Sequence, residues 1–259
     1  SRNPDACLWV ARLKKHDQYT YQHSLSASMW AVSLGRQAGL QRQDLRSLAM
    51  GCLLMDVGKL KVDSELLRAE GPLSPEQTDQ MRKHVDYGVE YLQETGILNQ
   101  DVIDMVAHHH ERYDGSGYPQ GLARDHIPPF ARIAAIVDTY DAMTSQRSHA
   151  DALSPSEAIR ILYKSRDILF QAELVEAFIK AVGIYPAGTL VELSSGEVGV
   201  VVAESRTRRL LPKVMVVLDS DKNELEQPKI LDLLEAHKGE CTGATGIAKS
   251  LEPGAHGID

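Results

Sequence analysis

Residues 107–119 read Ala-His-His-His-Glu-Arg-Tyr-Asp-Gly-Ser-Gly-Tyr-Pro. Three adjacent imidazoles stand directly before a turn with two glycines. Alone, the stretch fits a metal site and a solvated polar helix end equally well. Other segments carry matching chemistry: His23, Asp56 in LLMDVGK, His84 in MRKHVDYG and Asp138 in AAIVDTYDAMTS. His109 shares an apolar helix face with Val102, Met105 and Val106, and Asp138 follows Ile136 and Val137. Burying a carboxylate costs several kcal/mol unless it is paired or binds a metal. One buried histidine is usually a hydrogen-bonded core residue. Several imidazoles and carboxylates spread over five helical segments point instead to a shared centre. Imidazole with carboxylate suits Fe, Mn or Zn better than Mg or Ca.

The elements that must position these groups are helical up to about residue 183. Leu45, Leu48, Ala49 and Cys52 follow the i, i+3, i+4, i+7 rule, as do Ile133, Ile136, Val137 and Tyr140. Ser74-Pro75-Glu76-Gln77 and Ser154-Pro155-Ser156-Glu157 each offer an N-cap serine, a proline in the first turn and an acid or amide at the third position. Leu174, Val175, Phe178, Ile179 and Val182 form a last apolar face, with Gly183 as the C-cap. The pattern changes at Ile184-Tyr185-Pro186. TLVELSSGEVGVVVAE reads as strand, Ser-Gly turn, strand, and KVMVVLDSD as a further strand. The expected fold is therefore mainly α: a helical bundle over 1–183, then a small C-terminal antiparallel β subdomain over 184–235. Residues 236–259 are Gly-rich and read as a mobile tail, with a short helix at Ile247–Leu251.

Composition narrows the function. The 259 residues carry a net charge of −8 and no Lys/Arg block, which disfavours nucleic-acid binding and anionic membrane surfaces. No apolar run reaches membrane-spanning length. Cys7, Cys52 and Cys241 lie far apart without paired spacing and read as reduced thiols in a cytoplasmic protein. The opening Ser1-Arg2-Asn3-Pro4 reads as the start of a segment cut from a longer chain.

HDQYTYQHS, LLMDVGK, HHERYDGSGYP and RIAAIVDTYDAMTSQR stand in the order and spacing of the HD-GYP family, a branch of the HD metal-dependent phosphohydrolases. The chain resembles that family from about residue 4 to 183. GIYPAGTLVELSSGEVGVVV also resembles a β extension found in some members. The resemblance implies a helical phosphodiesterase that hydrolyses cyclic di-GMP to linear pGpG, and in some members to GMP. It implies one or two divalent ions, Fe or Mn, held by His23, Asp56, His84, His109, His110 and Asp138, with Asp56 as the bridging carboxylate. Lys59 and Arg147 match phosphate-contacting residues, and Asp56 and Lys59 are the catalytic candidates. The Gly115–Pro119 loop shapes the rim of the site. Within it Tyr118 is a candidate substrate contact, and the loop is implicated in binding protein partners such as GGDEF domains. Phosphodiester hydrolysis needs a nucleophile at neutral pH and relief of charge on the phosphoryl oxygens, both of which paired metals supply. Lys59 and Arg147 would add electrostatic stabilisation. For Lys59 the plain alternative is a cation interacting with a helix C-terminus.

The chain departs from the family pattern at three places. Met55 replaces the histidine of the HD pair, and a neutral thioether is a poor ligand for Mn(II) or Fe(II). Residues 147–150 read Arg-Ser-His-Ala, so the usual last cation is Ala150. Tyr19 stands where members with three metals carry Glu, which argues against a third ion. Two classes stay open: a phosphodiesterase with weakened activity, or a degenerate domain that binds cyclic di-GMP or a protein without turnover. A hydrolase for another nucleotide is a third reading, and the GYP loop argues against it.

Overall fold

The computed structural model describes residues 4–69, 71–96, 99–146, 152–205, 208, 210–238 and 246–258. They form two compact units: residues 1–151 with 162–181, and residues 152–161 with 182–259.

The first unit is helical. Its helices are α1 (Pro4–His16), α2 (Gln18–Gln37), α3 (Arg42–Leu54), α4 (Ser64–Leu67), α5 (Pro75–Arg82), α6 (His84–Glu94), α7 (Gln100–His108) and α8 (Pro129–Thr144). α9 (Pro155–Lys164) crosses from the second unit into the first, and α10 (Ala172–Val182) follows. Local chemistry fixes the starts. Asp17 caps α2 by accepting from Thr20 N at 3.0 Å. Ser74 and Gln77 form a reciprocal capping box ahead of Pro75 in α5, and Asn99 caps α7. The apolar faces read from the sequence close the core: Leu34, Leu48, Cys52, Val102, Met105, Val106, Ile136 and Val137 are fully buried. Among the described residues no sheet strand lies between 20 and 180.

A 3-10 turn, Val57–Lys61, links α3 to the helices that follow and packs on α6. Gly58 makes this possible. A Cβ there would stand 1.9 Å from the His84 carbonyl oxygen and 2.5 Å from Gly88 N. Turn and helix thus meet backbone to backbone, which brings Asp56 and Lys59 beside His84.

The second unit is built on an antiparallel sheet of β1 (Leu190–Leu193), β2 (Val198–Ala203), β3 (Lys213–Leu218), β4 (Glu224–Asp232) and β5 (Ile247–Ser250), ordered β4-β3-β2-β1-β5. Val191 pairs with Gly199, Val200 with Met215 and Val214 with Leu231. One apolar cluster joins Val191, Leu193, Val201, Val214 and Val216 to Leu233 of the short helix α11 (Leu233–Lys238). A second joins Leu190, Val198 and Leu218, with Leu251, Ala255 and Ile258 against it.

Two sequence expectations need correction here. The stretch read as a mobile tail with a helix at 247–251 supplies strand β5, in which Ser250 pairs with Val191 and Lys249 with Glu192. A four-residue Ile-Ala-Lys-Ser strand has little pattern of its own. The β1 edge defines it by offering unpaired backbone groups. The helical domain also does not run unbroken to 183. Residues 152–161 group with the sheet unit, where the Ser156 and Ser154 hydroxyls hydrogen-bond Ser250.

Candidate metal centre

Six side chains singled out in the sequence come from α2, the end of α3, α6, the end of α7 and α8. Asp56, His84, His109 and His110 bring one ligand atom each to within 4.8 Å of one another. His23 and Asp138 lie beside them: His23 Nε2 is 3.8 Å from Asp56 Oδ2, and His110 Nδ1 is 3.7 Å from Asp138 Oδ2.

Backbone contacts orient the imidazoles. His84 donates Nδ1–H to the Met81 carbonyl at 2.7 Å. His109 donates Nδ1–H to the carbonyls of Met105 at 3.2 Å and Val106 at 3.1 Å. Each ring therefore turns an unprotonated Nε2 inwards, the tautomer and orientation that a carbonyl bound to the other ring nitrogen imposes on metal-binding histidines. The two Nε2 atoms face each other at 3.4 Å. Asp56 Oδ1 stands 3.4 Å from the first and 3.9 Å from the second, buried and without a hydrogen-bond donor. Three lone-pair-bearing atoms converge on one point with no proton between them. Such a donor set fits a divalent cation and is costly without one.

Electrostatics agree. Burial lowers the pKa of His84 to about 4, only partly countered by Asp56. Burial also lowers His109, and it holds His110 well below the usual imidazole range, helped by its histidine neighbours. All three rings are neutral at pH 7, as metal ligation requires. Burial works against the charge on Asp56, but Lys59 and the surrounding histidines outweigh it and hold this carboxyl below the usual range. Lys59 Nζ donates to Asp56 Oδ2 at 2.9 Å.

His23 is placed differently. Its Nε2 meets Asp138 Oδ1 and its Nδ1 meets Asp141 Oδ2, both at 2.8 Å. Burial opposes its charge, but these two carboxylates prevail and raise its pKa to about 9. In this arrangement His23 is an imidazolium clamped between two acids, with neither nitrogen free for a metal. Burial also opposes the charge on Asp138, and the bond to His23 keeps that carboxyl low. Asp141 was not picked out from the sequence, although its i+3 spacing from Asp138 places both on one face of α8.

A cavity of about 660 Å³ opens over the centre. His23, His84, His110, Asp138 and Lys59 line it, with Tyr118, Tyr19, Asp17, Leu66, Leu67, Arg68 and Leu73 forming other parts of the wall. Met55 does not line the cavity. It is fully buried, as are Asp56 and His109. Tyr118 stacks on His110 with ring centroids 4.6 Å apart and is covered by the Arg82 guanidinium at 4.9 Å. Glu111 holds the loop that carries Tyr118: its buried carboxylate accepts from Gln120 N at 2.8 Å and Leu122 N at 3.0 Å. Arg82 and Glu111 gave no distinct sequence signal, because their partners come from other segments or from backbone. Arg147 and Ala150 lie outside the described residues.

A family model described as an HD domain matches residues 10–174, and one described as a KOW domain associated with the HD domain matches residues 190–238. A cyclic di-GMP phosphodiesterase of Pseudomonas aeruginosa is 38% identical over 159 residues, 61% of this chain and 38% of that protein. The cyclic di-GMP phosphodiesterase response regulator RpfG of Xanthomonas campestris is 37% identical, over 56% of this chain and 38% of its own length. The 3'3'-cGAMP-specific phosphodiesterase 2 of Vibrio cholerae is 34% identical, over 61% of this chain and 30% of its own. The chain thus spans less than two fifths of these relatives. Among solved structures, an HDGYP protein of Bdellovibrio bacteriovorus matches with a TM-score of 0.51 at 22% identity, covering 60% of this chain and 50% of that one. The HD domain of the phosphodiesterase PgpH of L. monocytogenes, in complex with cyclic-di-AMP, matches with a TM-score of 0.50 at 21% identity, covering 66% and 91%. At these identities the structural likeness shows the fold. Among the described residues no helix is long and apolar enough to cross a membrane.

Proposed function

The chain belongs to the HD domain family, and from that premise we propose that it is a cytoplasmic, metal-dependent phosphodiesterase hydrolysing cyclic di-GMP to linear pGpG. The observation that carries this reading is the convergence of Asp56, His84, His109 and His110 beneath the cavity, with Lys59 on Asp56. A divalent ion bound there, Fe or Mn, supplies Lewis-acid polarisation of a phosphodiester and a nucleophile usable at neutral pH. Asp56, His84, His109 and His110 would hold it. Lys59 keeps Asp56 ionised and presents an ammonium to the cavity, where charge builds on phosphoryl oxygens. Burial pushes the Tyr118 phenol up, so it stays protonated and can donate a hydrogen bond to substrate at the rim. The exposed residues Asp114, Ser116, Pro119 and Gln120 of the same loop offer a docking face for a protein partner such as a GGDEF domain.

We assign one ion per chain. A second position would draw on His23, Asp138, Asp56 and the imidazole that Met55 replaces. In the structure His23 Nε2 is committed to Asp138, and Asp56 Oδ2 to Lys59. The same facts favour a second reading, a domain that binds cyclic di-GMP without turnover.

Elemental analysis of anaerobically purified protein, run beside hydrolysis and binding assays with cyclic di-GMP and 3'3'-cGAMP, separates the two. About one ion per chain with turnover of cyclic di-GMP supports the enzyme. Binding without turnover by the metal-loaded protein supports the second reading, and absence of both binding and turnover overturns both.

A further inference from the structure

Among the described residues two side chains with permanent positive charge line the cavity, Lys59 and Arg68. They are placed very differently. Lys59 is tied to Asp56 at the floor. Arg68 ends α4 at the exposed rim, and its Nη2 makes one long bond, 3.4 Å, to the His16 carbonyl. Among the described residues no carboxylate lies within ion-pair distance of it. A guanidinium carries five donors in a fixed planar fork suited to phosphate oxygens. Most of that fork is unused here. Its neighbours on the rim, Leu66, Leu67 and Leu73, are apolar, so the wall offers one fixed cation within a surface fit for a nucleobase.

The acidic lining groups are already engaged. Asp17 accepts from the Thr20 backbone N–H and hydroxyl, and Asp138 is bound to His23. Neither is set to neutralise Arg68.

A cyclic dinucleotide carries two phosphodiesters. Only one can occupy the floor beside Lys59 and the histidines. The other must lie elsewhere in the cavity, and an uncompensated negative charge in a partly apolar pocket is costly. We infer that Arg68 binds this second, non-reacting phosphate, and so makes the site select a substrate with two phosphates over a simple phosphodiester. The inference rests on the phosphodiesterase reading for its ligand class. Arg68 is assigned to binding, and bond cleavage is left to the floor of the site.

The test compares wild type with Arg68→Gln and Arg68→Lys on two substrates: cyclic di-GMP, and bis(4-nitrophenyl) phosphate, which has one phosphodiester. Arg68→Gln should raise KM for cyclic di-GMP about tenfold or more, the usual scale for losing a charge-assisted contact. Its kcat should stay within about twofold, and its kinetics with bis(4-nitrophenyl) phosphate should not change. Arg68→Lys should recover part of the loss as a point charge. Metal content should match wild type in both variants. If the protein binds cyclic di-GMP without turnover, the same shift should appear in Kd. Equal losses on both substrates, or an unchanged KM or Kd for cyclic di-GMP in a protein that otherwise handles it, overturn the assignment of Arg68 alone. A wild type that neither binds nor hydrolyses cyclic di-GMP overturns the phosphodiesterase reading and this inference with it.

Discussion

Met55 caps the end of α3 one residue before Asp56 and is fully buried. Its thioether brings no charge and little affinity for a hard or borderline cation. Met55→His should therefore raise bound metal from about one ion per chain towards two, as read by elemental analysis after loading with Mn(II) or Fe(II). If the content stays at one, the His23–Asp138 contact and not the missing imidazole closes the second position. A second residue-scale prediction concerns pH. In the metal-free protein the pKa of His23 is about 9, above the ordinary histidine value of 6.5. The folded state therefore binds this proton more tightly than the unfolded chain. The stabilisation is fully present below about pH 6.5 and is lost as pH rises through about 9, and its size is roughly 3 kcal/mol. Urea unfolding of the apo protein at pH 6 and pH 9.5 should show a drop that His23→Gln reduces; an equal drop in both proteins would rule His23 out as its source. At this scale the sequence was informative, because buried imidazoles and carboxylates stand out against apolar periodicity. It could not show that His23 faces two acids, since the contacts span 115 and 118 positions.

Helices and turns set the geometry of the centre through close approaches that a single methyl group would break. Gly58 is the clearest. Alanine there would place a Cβ 1.9 Å from the His84 carbonyl oxygen, which is backbone and cannot swing aside. Gly58→Ala should cost about 3 kcal/mol, at the upper end for overpacking, and should lower metal content by driving the Asp56–Lys59 turn away from His84. Denaturant unfolding and elemental analysis check both effects, and normal metal binding in the variant would show that the turn can shift without the centre. The loop 111–122 depends on Glu111 in a similar way. Glu111→Gln leaves one acceptor where two backbone N–H groups need one each, and it turns a buried amide donor towards a donor. A loss of about 1–3 kcal/mol follows. It should appear as faster amide exchange at Gln120 and Leu122, while the α7 amides hold. Unchanged exchange there would mean other contacts hold the loop. The helices that carry these groups were legible from caps and apolar spacing, as Ser74-Pro75 and the Val102–His109 face show. The loop's anchoring was not, because a carboxylate binding backbone N–H groups leaves no partner residue to recognise.

On the scale of the whole chain, the change from period 3.6 to period 2 near Pro186 marks where strands begin, and the valine-rich β1, β2 and β3 follow from it. The two flanking strands were hidden. β4 contains Pro228 and three acidic residues and is largely exposed, as an edge strand can be, while β5 owes its conformation to its neighbour β1. The grouping of residues 152–161 with the sheet unit was equally invisible, since an amphipathic helix shows an apolar face without naming what covers it. The division has a thermodynamic consequence. All the groups of the candidate centre belong to the first unit. A ligand that binds only the folded form stabilises what it binds by mass action, about 2.7 kcal/mol at a free concentration one hundred times its Kd. For a unit of this size each kcal/mol moves the midpoint by about 2–4 °C. Calorimetry of apo protein with Mn(II) added to that level should therefore shift the transition of the helical unit upward by roughly 5–10 °C. The transition of the sheet unit should stay in place, and a chelator should reverse the shift. A single transition that moves as a whole would mean that the two units unfold together, and that metal binding near His84 also stabilises a sheet that holds none of its ligands.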